Sequence, residues 1–434
     1  MTLQRKDDCV FRYLLMTAPA DGHVIPCLST AQNLIERGHA IEWITGRKYR
    51  ILIDNIGAGF HALPREIDTG EMEIYDSYPR LKELRGLAAV KFSLKNVFLD
   101  ASIPQIEAIN DVLKNHTVDV LVGDTVSFGL FLRSEMRGPP CAMLNLLPLS
   151  TASRDTAPFG LGLLPGKNVL TKTRDRMLNF IVNHVILRDI TAHANCIRNR
   201  LSLEPLNAPF FVAGFQIPSL VMHVSTPAFE YPRTDQPSNI HYIGPIQPEL
   251  SIDYQPPLWW AELDDSDPVI LINQVTVAKD LKDLLIPAVK GLSDLQMLVI
   301  AVPVNDGELQ ECPHNIRAEP FIPFAKLLPQ VDVMVTNGGY GGVQMALSHG
   351  VPLVIAGATE DKMEVATRVE WAGVGINLRN QRPSPDGIRN AVTEILSNPV
   401  YQQNAKRVQA DFAKYDAPTR AAELLEMLAR GNLD

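Results

Sequence analysis

Short apolar runs alternate with stretches of helical periodicity along the whole chain. Residues 11–17, 40–45, 118–123, 141–146 and 219–223 are continuous apolar runs of strand length, the pattern of strands covered on both faces of a parallel sheet. Between the first two, residues 25–37 repeat apolar side chains at helical spacing and stop at Gly38. The second half repeats the scheme with residues 269–273, 296–302, 332–336, 351–356 and 373–378, and residues 399–430 are helical by pattern with no strand after them. Repeated β-α-β units predict an α/β fold of doubly wound parallel sheets.

At 434 residues the chain is long for a single core, so two domains are expected. Residues 231–260 lose the periodicity and collect Pro232, Pro237, Pro245, Pro248, Pro256 and Pro257, the composition of a linker. The expected division is an N-terminal domain over residues 1–230, a linker over 231–260 and a C-terminal domain over 261–434. Two such domains bring the carboxyl ends of both sheets to one cleft, where ligands of open α/β sheets bind.

A hydrophobic fraction of 46% with 21% charged residues is that of an ordinary globular protein. The net charge of −9 argues against a nucleic-acid partner, which needs clustered Lys and Arg on one face. The first residues lack an apolar segment of signal length, and no eighteen apolar residues run together, so no membrane span and a cytoplasmic location are expected. Cys9, Cys27, Cys141, Cys196 and Cys312 are scattered without a CxxC pair, as suits reduced thiols, and no metal-ligand cluster stands out among Cys and His.

Three places carry candidate chemistry. Thr336-Asn337-Gly338-Gly339-Tyr340-Gly341-Gly342 follows an apolar run and opens a helix expected over residues 343–349. Its glycines remove Cβ atoms that would keep a ligand from the backbone, so amides and the positive helix end can face a diphosphate. No Gly-Lys-Ser/Thr follows, which excludes a P-loop, and the late position excludes the usual dinucleotide fingerprint. His23, beside Gly22, opens the first helix at the cleft end of the first strand. Asp124 ends the strand at 118–123, where a carboxylate can orient an imidazole or cap the following helix. No Gly-x-Ser-x-Gly elbow supports a serine hydrolase.

Gly22-His23, Arg37-Gly38-His39, Phe321-Ile322-Pro323, the glycine block, Ser348-His349-Gly350-Val351-Pro352 and Glu360-Asp361 occur in an order that resembles the nucleotide-sugar-dependent glycosyltransferases of small molecules, the macrolide and plant secondary-product type with the GT-B fold. The resemblance spans nearly the whole chain and implies two Rossmann-like domains facing a central cleft, with a terminal helix. It implies His23 as general base and Asp124 as its partner in an inverting, metal-independent transfer with no cofactor and a UDP-sugar as co-substrate. On the donor side it implies Thr276, Phe321 under the base, Ile322, Asn337, Gly338, Gly339, Tyr340, Gly341 and Gly342 at the nucleotide diphosphate, and Glu360 and Asp361 at the sugar. The expected donor is UDP-glucose, with a dTDP-sugar as the second choice.

Six positions depart from the family pattern. Val275 replaces a Gly beside Thr276, Phe321 a Trp, Asn337 the His of plant members, Gly342 a Ser, Met345 the Glu that holds the ribose, and Lys362 a Gln. Phe92, Phe98, Phe128 and Leu147 are the apolar candidates for an acceptor pocket, which would suit a small hydrophobic or aromatic hydroxyl compound such as a phenolic, flavonoid or polyketide. Two alternatives stay open: a nucleotide-sugar epimerase on the same scaffold, and a glycosyltransferase-like partner without turnover.

Overall fold

The computed structural model describes residues 10–70, 74–247, 254–265, 268–274, 280–302, 313–357 and 361–433. Two parallel sheets organise it. The first runs in the order β3-β2-β1-β4-β5-β6-β7, built from β1 (Arg12–Met16), β2 (Ala40–Thr45), β3 (Gly59–Ala62), β4 (Val120–Asp124), β5 (Cys141–Asn145), β6 (Leu220–His223) and β7 (Ile240–Tyr242). The second runs β10-β9-β8-β11-β12-β13, from β8 (Val269–Asn273), β9 (Leu298–Val302), β10 (Ile316–Ala318), β11 (Val333–Thr336), β12 (Leu353–Ile355) and β13 (Gly375–Asn377). All five residues of β4, β5, β8 and β9 are buried, as their unbroken apolar runs require.

Each sheet reverses its winding at one place, between β1 and β4 in the first and between β8 and β11 in the second. At such a switch point the loops leaving neighbouring strands diverge and open a crevice. His23 follows β1 and Asp124 ends β4, while the glycine block follows β11 beside the end of β8. The candidate residues therefore sit at the two switch points.

The elements differ from the sequence expectation in three ways. The expected linker at 231–260 contains β7, which pairs with β6 from Val221↔Ile240 to His223↔Tyr242. The terminal stretch is two helices, Pro399–Phe412 and Ala417–Ala429, the second capped by Asp416. That second helix docks on the first domain: Glu426 accepts from Arg37 (3.3 Å) and pairs with His39 (3.0 Å), and Asn33 donates to Thr419 (3.4 Å). The short edge strands β3 and β10 were not expected either, because edge strands of three or four residues leave little apolar pattern. Among the described residues no helix is long and apolar enough to cross a membrane.

Candidate functional site

The Asp21–Glu36 helix begins right after β1, which brings His23, its third residue, over the crevice. Asp124 meets it there, with His23 Nδ1 2.8 Å from Asp124 Oδ2. The carboxylate is 1% exposed and fully engaged: Ala18 N donates to Oδ2 (2.7 Å), and Val126 N (3.1 Å) and Ser127 Oγ (2.7 Å) donate to Oδ1. Asp124 thus orients the imidazole and accepts from the turn after β4; the following helix starts only at Phe128 with Ser127 at its N-cap, so Asp124 is not the helix cap foreseen as its other role. An ionised Asp124 requires Nδ1 to carry the proton, which leaves the Nε2 lone pair for an incoming group.

Burial pulls the His23 imidazole toward its neutral form, but the charge and hydrogen bond of Asp124 outweigh this, aided by the charge of Asp361. His23 therefore holds its proton above the ordinary histidine range. Burial likewise opposes the Asp124 charge, yet His23 and the donors from Ala18 and Ser127 keep that carboxyl below the usual range. Asp361 belongs to the second domain, at the start of the Lys362–Ala372 helix, so its field on His23 links the two sides of the cleft.

The glycine block forms a helix three residues earlier than expected, Tyr340–Ser348, whose N-cap Gly339 offers no side chain to the first turn. Gly338 has φ +86°, and a Cβ there would lie 2.8 Å from Ile355 Cγ2, so the fold itself demands glycine at this turn. Gly341 and Gly342 are different. Among the described residues, a Cβ on Gly341 would meet nothing within 4 Å, and one on Gly342 only Asn273 Nδ2 at 4.0 Å. Among the described residues the space over the first turn is open, and the side-chain amide of Asn273 borders it from the end of β8. The sequence reading missed Asn273, whose only signal was its place at a strand's carboxyl end.

Phe321 is 48% exposed and meets Tyr254 edge-on at 6.5 Å, so its ring is a surface platform and not core. Ile322 beside it is buried, as are Asn337 and Gly338. Tyr340 departs from its expected part. Its side chain is 4% exposed and lies in the domain interface, stacked 6.3 Å from Phe229 and 6.4 Å from His223, so only its backbone remains for a donor. Met345 packs against the main apolar cluster and gives a ribose no acceptor. Val275, Thr276 and Glu360 lie outside the described residues.

The four acceptor candidates are not one pocket wall. Phe128 packs edge-on against Phe210 at 5.3 Å and lines an apolar cavity inside the first domain with Leu132 and Ile217, which is where an aromatic at the start of the Phe128–Glu135 helix is drawn by burial. Phe92 lies under the Arg80 guanidinium at 5.7 Å, and Phe98 and Leu147 are half-buried. Leu87, Val90, Val169, Leu170, Met177 and Phe180, on the Gly86–Phe92 and Val169–Ile181 helices, are exposed.

One grouping of ligand-type residues escaped the sequence reading: Glu42, His61 and His116, whose donor atoms lie within 4.8 Å of one another. Arg12 already fills it, with Nη1 2.5 Å from Glu42 Oε1 and 3.4 Å from His116 Nδ1, so a guanidinium occupies the place of a cation.

Residues 290–428 match the family described as Erythromycin biosynthesis protein CIII-like, C-terminal domain. The chain is 39% identical to "4'-demethylrebeccamycin synthase" of Lentzea aerocolonigenes, over 96% of this chain and 99% of the relative. It is 31% identical to "UDP-glycosyltransferase 2" of Phaeomoniella chlamydospora, over 96% and 95% of the two chains. The crystal structure of the glycotransferase of kitacinnamycin shares the fold, with a TM-score of 0.74 at 19% identity over 96% of this chain and 99% of that one. Two switch-point sites facing one cleft, joined to full-length identity of this order, place the protein: it belongs to the small-molecule glycosyltransferases of GT-B fold and is a sugar-transferring enzyme.

Proposed function

We propose that the protein transfers a hexose, foremost glucose from UDP-glucose, to a hydroxyl of a small hydrophobic or aromatic acceptor, with inversion and without a metal. In this reading His23 Nε2 takes the proton of the acceptor hydroxyl. The oxygen attacks the anomeric carbon, and the bond from that carbon to the diphosphate breaks on the opposite face. UDP departs into the first turn of the Tyr340–Ser348 helix, where backbone amides receive its charge. Asp124 holds the imidazole tautomer and stabilises the imidazolium; Asp361 accepts hydrogen bonds from sugar hydroxyls.

The observation that carries the reading is the half-buried His23 held 2.8 Å from the buried carboxylate of Asp124, under the field of Asp361 from the donor domain. The open first turn at Gly341 and Gly342 and the exposed Phe321 ring support a nucleoside diphosphate. The UDP donor is supported by the name of the relative from Phaeomoniella chlamydospora, a UDP-glycosyltransferase. The lipophilic acceptor is supported by exposed apolar side chains on the Gly86–Phe92 and Val169–Ile181 helices, among them Leu170 at 82% exposure. A cytoplasmic setting is supported by the free thiols of Cys27, Cys141 and Cys196.

The test is mass-spectrometric transfer with UDP-glucose and a panel of phenols, flavonoids and macrolides in EDTA, with dTDP-glucose and UDP-GlcNAc in parallel. A hexose mass gained from UDP-glucose supports the reading. Gain only from another donor, or only after metal is added, overturns the corresponding part of it.

A further inference from the structure

The Lys362–Ala372 helix begins at Asp361 and at once enters the other domain's territory. Glu364 Oε1 accepts from Gly160 N at 2.8 Å and Gly162 N at 3.0 Å, both in the loop after β5 of the first domain. One turn later Arg368 forks onto Glu230, Nε to Oε1 at 2.7 Å and Nη2 to Oε2 at 3.1 Å, and donates through Nη1 to Glu364 Oε2 at 3.2 Å. Glu230 also accepts from Arg233 at 3.1 Å and from Leu149 N at 3.2 Å. The Arg368 guanidinium lies 4.4 Å over the Tyr231 ring.

Glu230 and Arg368 are each 1% exposed, and Glu364 is 4% exposed. Two acids face two guanidinium groups, so the buried charges balance, and most remaining polar positions are filled by backbone groups. Removing charges from water is tolerated only with such completeness. Gly162 has φ +57° and brings the loop so close that a Cβ there would lie 3.1 Å from Met363 Cβ. The helix is thus held at its first two turns, on the residues immediately after Asp361. Three residues along a helix span about 4.5 Å. A rigid turn of that length carries any shift of Glu364 directly to Asp361.

We propose that Glu364 and Arg368 are positioning residues for the transfer, pinning the start of this helix to the first domain so that Asp361 is held at a fixed separation from His23. The proposal rests on the reading of His23 as the base and Asp361 as the sugar contact. The diphosphate cradle lies on a different helix, Tyr340–Ser348, so nucleotide binding does not depend on the clasp.

The experiment compares Glu364→Ala, Glu364→Gln and Arg368→Lys with the unaltered protein, reading kcat, KM for both substrates, the pH profile of kcat/KM, and UDP affinity by calorimetry. Glu364→Ala and Arg368→Lys lower kcat about tenfold or more, the scale of a slight misplacement of reacting groups. UDP affinity stays within about twofold, a change too small to signal a lost contact. Glu364→Gln, which keeps an acceptor oxygen for the two glycine amides, restores most of the loss. The acid limb of the pH profile moves to lower pH in Glu364→Ala, because the field of Asp361 on His23 weakens. Unchanged kcat and an unmoved limb overturn the proposal. So does a parallel fall of kcat, UDP affinity and thermal stability, which marks a clasp that is merely structural. His23→Ala in the same series separates the two readings: if it retains transfer, the base assignment fails whatever the clasp variants do.

Discussion

Gly342→Ser tests the diphosphate cradle by adding one donor to it. Among the described residues the ideal Cβ at this position meets only Asn273 Nδ2, at 4.0 Å, so the side chain enters without displacing any of them. Replacing Gly in the helix by Ser or Ala gains roughly 0.5–1 kcal/mol of helix propensity, so the free protein keeps or slightly raises its stability. A hydrogen bond to a charged group contributes about 1.5–3 kcal/mol, and fixing the hydroxyl leaves a net of about 1 kcal/mol. That corresponds to roughly fivefold tighter UDP binding. Gly342→Ala adds the Cβ without the hydroxyl and isolates the effect of the donor. Calorimetry with UDP and uridine, alongside urea denaturation, reads both quantities. Tighter UDP binding by Ser but not Ala, with uridine unaffected, is the expected result. Equal shifts for Ser and Ala, or none for either, would refute a diphosphate over this turn.

Four further outcomes follow from the site. His23→Ala lowers transfer by about 10²–10⁴-fold while UDP affinity is kept, read by product formation and calorimetry. The acid limb of kcat/KM lies above 6.5, the ordinary histidine value, since the base acts only after losing a proton that Asp124 and Asp361 help retain, and Asp361→Asn moves the limb down. The same elevation has a stability side: the contribution of charged His23 is complete below the ordinary value and is lost as pH rises through the elevated one, visible in urea unfolding across that window. Phe321→Ala weakens UDP binding about tenfold and Phe321→Trp restores or exceeds it, if the exposed ring stacks on the base at roughly 1–3 kcal/mol. Gly338→Ala loses about 2–4 kcal/mol of stability from its left-handed backbone and the 2.8 Å approach to Ile355 Cγ2, measured by denaturation.

The sequence by itself determined which segments are strands and helices wherever the apolar pattern is long. It also placed His23, Asp124 and the glycine block at the carboxyl ends of strands, because strand ends and glycine turns are local properties of neighbouring residues. The pairing of His23 with Asp124 was readable for the same reason, since both lie at strand ends of one sheet. What only the tertiary structure decided depends on partners far along the chain. The exposed ring of Phe321 and the buried ring of Tyr340 carry similar aromatic signals, and only packing against Phe229 and His223 separates them. Phe128 is half-buried, edge-on against Phe210. β7 owes its existence to pairing with β6, and the Ala417–Ala429 helix crosses to the first domain to meet Arg37 and His39. Glu364 and Arg368 read as ordinary surface charges of a helix until Gly160, Gly162 and Glu230 are brought to them. Burial and charge pairing are properties of contacts between distant segments, and local pattern carries no record of who the neighbour will be.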